Sequence, residues 1–255
     1  MIHKISFTNG RGQTLRGFIS EPKKYNTAII FLHGFPGSCQ GSTGSRLLGI
    51  ADNIPCLLLM FDFSHTHLSD GKFEDKLMSK EVEDIKYAID FLEKNYSFRQ
   101  LILMGISTGA IDASLYAYKD KRIDKLILLG AESSTKHSVH YDFTDEQVRD
   151  FWQKGYIRYH APGKWYHQKK LKKAFYDEFF TLDIPQAIKR YTQPLLIIHG
   201  EKDEAVPLKE GIELFKMANK PKQLVIIKGA DHRFTQPRHF KKVLKVILRF
   251  IQQKY

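Results

Sequence analysis

The five residues Gly105-Ile106-Ser107-Thr108-Gly109 have the types and the spacing of a catalytic serine held on a sharp turn. An apolar run at residues 101–104 precedes them, and a helix-like segment begins at Ala110. The two glycines leave room for neighbouring backbone where a strand turns tightly into a helix. Because the motif is short enough to arise by chance, a glycine-rich turn without chemistry is the alternative interpretation.

A serine at this position needs two further groups before it can react. Its hydroxyl is a poor nucleophile at neutral pH, so a base must accept its proton and a third group must orient that base. Asp203 and His232 each follow a later apolar run, in the order acid then base. Since ligands of open α/β sheets bind outside the carboxyl ends of the strands, we expect Ser107, Asp203 and His232 at one sheet edge.

The elements that would position these side chains are visible as short apolar runs without polar alternation. They lie at residues 28–32, 56–61, 101–104, 126–129, 195–198 and 224–227. Such runs are typical of strands that are covered on both faces, as in a mainly parallel sheet. Helical patterns separate them, and residues 2–7 and 15–21 flank a turn and predict an antiparallel hairpin. Strands that alternate with helices indicate an α/β fold.

The alternation of strands and helices stops after Ser134 and resumes at Pro194. The intervening residues 135–191 are rich in aromatic side chains and too long for a structureless loop inside a compact domain. We therefore predict a core made of residues 1–134 and 192–255, with residues 135–191 inserted as a small cap.

Taken together, the turn His33-Gly34-Phe35, the Ser107 motif and the two late loops resemble the α/β-hydrolase superfamily. Residues 61–73 are more specifically similar to small esterases that cleave cinnamoyl and feruloyl esters. The resemblance implies an α/β-hydrolase fold, with a mostly parallel eight-stranded sheet, flanking helices and a cap between strands six and seven. The family order of nucleophile, acid and histidine is met by Ser107, Asp203 and His232.

The resemblance also implies a role for each group. His232 would accept the serine proton, Asp203 would fix the imidazole tautomer, and the backbone N–H groups of Phe35 and Thr108 would stabilise the oxyanion. The acid has three competitors in the sequence, since Glu201 and Glu204 lie within two residues of Asp203 and Glu132 follows an earlier strand. We favour Asp203 because the sequence Asp-x-x-Val-Pro is the usual family context.

Four residues are candidates for substrate binding: His33, Ile106, Trp152 and Trp165. His33 is also suited to a structural role in the oxyanion loop, and the two tryptophans could simply build the core of the cap. Ile106 and Thr108 depart from the family, which often has a polar residue at the first position and Gln, Met or Gly at the second.

A metal or an organic cofactor is not predicted. The pair His65 and His67 has the spacing of two metal ligands, but the sequence suggests no third ligand, and loop histidines are common.

The formal net charge of +12 is uneven, with +1 on residues 1–134, +4 on residues 135–191 and +7 on residues 192–255. This bias favours contact with anions, whether nucleic acid, an acidic membrane surface or a charged substrate. Nucleic acid is a weaker interpretation, because the basic residues near the C-terminus match the polar face of an amphipathic helix. Cys39 and Cys56 suggest no disulfide framework. No apolar run reaches the roughly 18 residues that span a bilayer, which predicts a cytoplasmic location.

We predict a serine hydrolase that cleaves a small-molecule carboxylic ester through an acyl-enzyme on Ser107. The enzymatic alternative is a thioesterase or lysophospholipase acting on an anionic acyl substrate. A third alternative, from another class, is a hydrolase-fold protein that binds a ligand without turning it over. The sequence predicts no particular oligomeric state.

Overall fold

The computed structural model describes residues 1–255 apart from the side chain of Asp52. Ten strands follow one another along the chain: β1 (Ile2–Thr8), β2 (Thr14–Ser20), β3 (Thr27–Leu32), β4 (Leu57–Phe61), β5 (Gln100–Ile106), β6 (Lys125–Leu129), β7 (Tyr156–Arg158), β8 (Lys170–Lys172), β9 (Leu195–Gly200) and β10 (Lys222–Ile227). The α-helices are α1 (Ser42–Gly49), α2 (Met78–Asn95), α3 (Thr108–Ala117), α4 (Thr135–Asp142), α5 (Asp145–Lys154), α6 (Lys173–Glu178), α7 (Ile184–Arg190), α8 (Leu208–Met217) and α9 (Pro237–Gln252).

Eight of the strands form one sheet in the order β1-β2-β4-β3-β5-β6-β9-β10. Strand β2 pairs antiparallel with both β1 and β4, and all other neighbours in the sheet run parallel. The predicted mostly parallel eight-stranded sheet with an N-terminal hairpin is therefore confirmed. Its central strands are buried along their whole length, which explains their unbroken apolar runs.

Helices cover both faces of the sheet and bury two apolar clusters. Helices α2, α3, α7 and α8 pack on one face, and α1 and α9 pack on the other. Helix α9 illustrates why these helices pack on the sheet with one side. Phe240, Val243 and Ile247 recur at helical spacing and are buried, whereas Lys241 and Lys245 are exposed. Each large apolar side chain removed from water in this way stabilises the fold by about 1.5–3 kcal/mol.

The chain between β6 and β9 forms four helices, α4 to α7, and the two-stranded antiparallel sheet of β7 and β8. Phe151, Phe175 and Phe179 are fully buried there and belong to the same apolar cluster as α3. Helix α7 packs against α3, so the end of this segment lies directly on the core. The boundaries of the cap at residues 135 and 191 stay a prediction.

Across the part of the chain that the structure describes, no helix combines the length and the apolarity required to cross a bilayer.

Candidate active site

Ser107 occupies a strained turn between the end of β5 and the start of α3. Its backbone angles are φ 56° and ψ −128°, and a positive φ is rare for a residue with a side chain. A Cβ on Gly105 would lie 2.1 Å from the Gly109 carbonyl oxygen, and a Cβ on Gly109 would lie 2.4 Å from that of Leu32. Both glycines are therefore required by close backbone approach, as the sequence motif predicts.

Asp203 and His232 meet beyond the carboxyl ends of β9 and β10. The carboxylate Oδ2 of Asp203 lies 2.8 Å from His232 Nδ1. The other oxygen, Oδ1, accepts the backbone N–H groups of Ala205 and Val206 at 3.0 and 2.7 Å. Because these bonds hold the carboxylate and its side chain is fully buried, the geometry favours a proton on Nδ1 and leaves Nε2 of His232 as the acceptor.

The ring of His232 reaches the end of the strand next to Ser107. A Cβ on Gly130, the residue after β6, would lie 3.0 Å from His232 Cε1. Strands β5 and β6 are neighbours, and the Ser107 N–H donates to the Leu129 carbonyl at 2.9 Å. Ser107 and His232 are not hydrogen-bonded to each other in this structure, and catalytic hydrogen bonds often form only when substrate binds.

The three competing carboxylates have other partners or none. Glu204 accepts the backbone N–H of His232 at 3.2 Å, and Glu201 accepts that of Gly229 at 2.8 Å, so both join the acid loop to the histidine loop. Glu132 is buried and neither of its carboxylate oxygens has a hydrogen-bond partner. Burial raises the pKa of Glu132 well above its usual value. Asp203 is the carboxylate of these four that bonds the imidazole.

The loop after β3 packs directly on the serine. A Cβ on Gly34 would lie 3.0 Å from Ser107 Cβ and 3.6 Å from its Oγ. The N–H of Phe35 donates to the Thr108 hydroxyl at 2.5 Å. The N–H of Thr108 is the first amide of α3 and is not used within the helix. Of the two predicted oxyanion donors, the Phe35 amide therefore has a side-chain partner that the sequence does not indicate.

His33 and Ile106 are internal. His33 is buried, with Nδ1 at 3.1 Å from the Gly34 carbonyl and Nε2 accepting from the Phe63 N–H at 3.4 Å. Burial lowers the pKa of His33 to about 4, so the ring is neutral at pH 7 and supports the loop after β3 through these contacts. Ile106 is buried in the apolar cluster beneath α1 and α9.

The two tryptophans have different surroundings. Trp152 is 68% exposed on α5, with the Lys173 ammonium 3.9 Å from its ring centroid, so the structure does not bring it to the site. The preceding residue, Phe151, fills the interior instead, since adjacent residues of a helix face different directions. Trp165 packs edge-on against Phe73 at 5.2 Å.

Phe35 lies at the centre of a cluster of aromatic rings from the core and the inserted segment. Its ring stacks on Phe175 at 4.7 Å and on Phe73 at 6.3 Å, and it meets Tyr159 edge-on at 6.1 Å. These rings, with Trp165 at the end of the row, form an apolar wall beside the loop after β3.

Two residues near the histidine were not among the sequence candidates. His199 lies below Asp203, with Nε2 at 2.9 Å from the Val206 carbonyl and 3.4 Å from Asp203 Oδ2. Asp142, at the end of α4, has an enclosed oxygen without a hydrogen-bond partner. Burial raises the pKa of Asp142 to about 7, and the charge of His232 opposes that rise. Only the folded packing of α4 reveals its position.

The described residues contain one cluster with metal-ligand character, and it does not include His65 or His67. His137, Glu210 and Glu213 each offer a ligand atom within 4.8 Å of the others. Ser133 and Tyr141 already donate hydrogen bonds to the Glu210 carboxylate. His65 instead lies 2.9 Å from the Lys72 carbonyl oxygen through Nδ1.

Fold and sequence define the class of protein. The parallel sheet, the flanking helices and the serine turn are those of an α/β hydrolase. Residues 69–255 match the prolyl oligopeptidase family, and the chain belongs to that family.

Relatives and solved structures agree with this class. Human alpha/beta hydrolase domain-containing protein 17B is 24% identical over 206 residues, which are 80% of this chain and 59% of that protein. The chain thus spans less than two thirds of that relative's length. Rat mitochondrial palmitoyl-protein thioesterase ABHD10 is 24% identical, covering 84% of this chain and 71% of the relative. The structure of Est1E from Butyrivibrio proteoclasticus with bound ferulic acid superposes with a TM-score of 0.80, at 25% identity and 97% coverage of both chains.

Proposed function

We propose that this chain is a serine hydrolase that cleaves a carboxylic ester through an acyl-enzyme on Ser107. The observation that carries the proposal is the 2.8 Å contact between Asp203 and His232, at the sheet edge where the strained turn holds Ser107. A nucleophile, an oriented base and an acid are the groups that acyl transfer requires.

The reaction follows from the atoms at this edge. Ser107 Oγ attacks the ester carbonyl carbon while His232 Nε2 accepts the hydroxyl proton. Asp203 stays ionised and stabilises the imidazolium through Nδ1. The imidazolium then protonates the leaving alcohol. Water next attacks the acyl-serine carbonyl while His232 Nε2 accepts its proton, and the imidazolium returns that proton to Ser107 Oγ as the carboxylic acid leaves. No metal or organic cofactor enters these steps.

The aromatic wall around Phe35 supports an acyl group with a flat or bulky apolar part. Ferulic acid is the ligand named for the similar solved structure, so a hydroxycinnamoyl ester is the narrower proposal. We assign the selectivity for this group to residues 135–191 as a cap. The two buried, unpaired cysteines are compatible with the reducing cytoplasm, where we place the enzyme.

The test compares wild type with Ser107→Ala on p-nitrophenyl acetate, p-nitrophenyl butyrate, feruloyl esters and long-chain esters. We expect the variant to lose at least about 10⁴-fold in kcat and all labelling by a fluorophosphonate. Ser114→Ala is the matched control, because Ser114 is a buried serine of α3 that bonds the Ala110 carbonyl. A Ser107→Ala protein that keeps wild-type turnover would contradict the proposal.

A thioesterase is the second candidate, favoured by the name of the rat relative and by the positive charge of this chain. A phosphate-bearing acyl-CoA would be attracted by that charge, and salt screens such attraction. We expect added salt to raise KM for acyl-CoA but not for a neutral thioester with the same acyl group. Equal salt responses, or no thioester cleavage, would remove this candidate.

A further inference from the structure

The hydroxyl of Thr108 occupies the place where a substrate oxygen would meet the backbone N–H of Phe35. Its Oγ1 accepts the Phe35 N–H at 2.5 Å, and the residue is 2% exposed. We propose that the Thr108 hydroxyl, rather than the Phe35 amide, is the second donor of the oxyanion site. This inference rests on the proposed acyl transfer at Ser107.

The geometry excludes direct use of the Phe35 amide in this arrangement. An oxyanion bound to that amide would lie about 2.9 Å from the nitrogen, along the N–H bond. Thr108 Oγ1 already lies there. Two oxygens cannot share one position, so substrate oxygen either meets the hydroxyl or displaces the side chain.

The hydroxyl can serve as a donor because its accepting role is already filled. A threonine hydroxyl has one proton to donate as well as lone pairs that accept. Among the described residues, the hydrogen bond of Oγ1 is the one it accepts from Phe35, which leaves its own proton free to point at the oxyanion. The resulting chain runs from the Phe35 N–H through Oγ1–H to the oxyanion. Each hydrogen bond polarises the next, and every proton stays on its donor atom.

The backbone N–H of the same residue supplies the other donor. It is the first amide of α3 and has no acceptor within the helix. Thr108 would thus contribute both of its donors to one oxygen, and the loop residue Phe35 would act as a positioning residue. This use requires a hydroxyl at position 108, which alanine or valine cannot provide.

The rival interpretation is that Thr108 only blocks the site and rotates away when substrate binds. The two interpretations predict opposite effects of removing the side chain. If the hydroxyl donates, Thr108→Ala loses transition-state stabilisation. If it blocks, the same change frees the Phe35 amide and the rate stays equal or rises.

The experiment measures kcat and KM for p-nitrophenyl butyrate in Thr108→Ala, Thr108→Val and Thr108→Ser, with Ser114→Ala as the control for losing a buried hydroxyl of α3. We expect alanine and valine to lower kcat by about 10²-fold or more, with KM changed by less than about threefold, since one oxyanion donor is lost. Serine should restore activity to within about fivefold of wild type. Thermal unfolding identifies any variant that has not folded.

A trifluoromethyl ketone, which forms a tetrahedral oxyanion on the serine, gives a second readout. Its affinity should fall in Thr108→Ala by about the same factor as kcat/KM. A folded Thr108→Ala enzyme with wild-type or higher kcat would overturn the inference. If wild type also cleaves no ester and takes no fluorophosphonate label, the proposed function itself has failed, so the two failures are distinguishable.

Discussion

Asp203 shows how a single residue can be fixed before chemistry begins. One of its oxygens is held by two backbone N–H groups of its own loop, and the other is left for His232. Since the carboxylate cannot rotate without losing these bonds, the imidazole it binds is held in one orientation and one tautomer. This is the condition under which Nε2 can serve as a base.

Replacing Asp203 by Asn tests that role at the residue scale. The amide keeps the shape of the side chain but can donate to Nδ1, which favours the wrong tautomer, so kcat should fall by about 10⁴-fold. Glu132→Gln is the control, because Glu132 is the other strand-end acid and is not bonded to the ring. Steady-state kinetics on p-nitrophenyl butyrate gives kcat for both variants. A larger loss of kcat in Glu132→Gln would identify Glu132, and not Asp203, as the acid that orients the histidine.

At the scale of elements, the junction of β5 with α3 depends on backbone contact. A Cβ on Gly109 would meet the carbonyl oxygens of Leu32 and His33 at 2.4 and 2.6 Å. Both are main-chain atoms of the neighbouring strand and its loop, so they cannot move aside as a flexible side chain could. The serine turn and the loop after β3 therefore share one tightly packed contact.

Gly109→Ala should accordingly destabilise the protein although alanine is the better helix former. The helix preference is worth about 1 kcal/mol in favour of alanine, whereas overpacking costs about 1–3 kcal/mol and occasionally more. We expect a lower free energy of unfolding in urea. Gly49→Ala, at the end of α1 with no heavy atom within 4 Å of the added Cβ, is the matched control and should be neutral or stabilising. A fall in stability of equal size in both variants would contradict this explanation.

At the scale of the whole molecule, the inserted segment and the core meet around buried acids. The charge of Asp142 on α4 raises the pKa of Glu132, which follows β6, and it also raises the pKa of the Tyr159 phenol. His232 opposes the rise for Asp142. Burial is the larger cause in every case, so the folded protein holds Asp142 protonated in mildly acidic solution.

The free energy of unfolding should therefore depend on pH through Asp142. Its pKa is raised from 3.8 to about 7 on folding, so between these values the native state binds more protons than the unfolded state. Stability must then fall as pH rises from about 4 to about 7 and level off above that range. Asp142→Asn should show a flatter profile when urea midpoints are measured from pH 4.5 to 8. Parallel profiles for the two proteins would exclude this contribution.

The sequence predicts those parts of the molecule that repeat or that carry a backbone requirement. Unbroken apolar runs indicate the buried strands, and the paired glycines around Ser107 indicate a close approach that the structure contains. The contact of Thr108 with Phe35 could not be predicted, because it depends on a side-chain rotamer and on the path of a distant loop. The exposure of Trp152 and the burial of Asp142 cannot be predicted for a related reason. Irregular packing between short helices decides which residues face inward.

Phe35 is anchored at both ends, by its backbone beside Ser107 and by its ring among aromatic side chains of the inserted segment. An acyl group large enough to separate those rings must also displace the Phe35 peptide next to the reacting bond. Selectivity between small and large acyl groups should therefore appear in the rate of bond cleavage more than in the binding affinity.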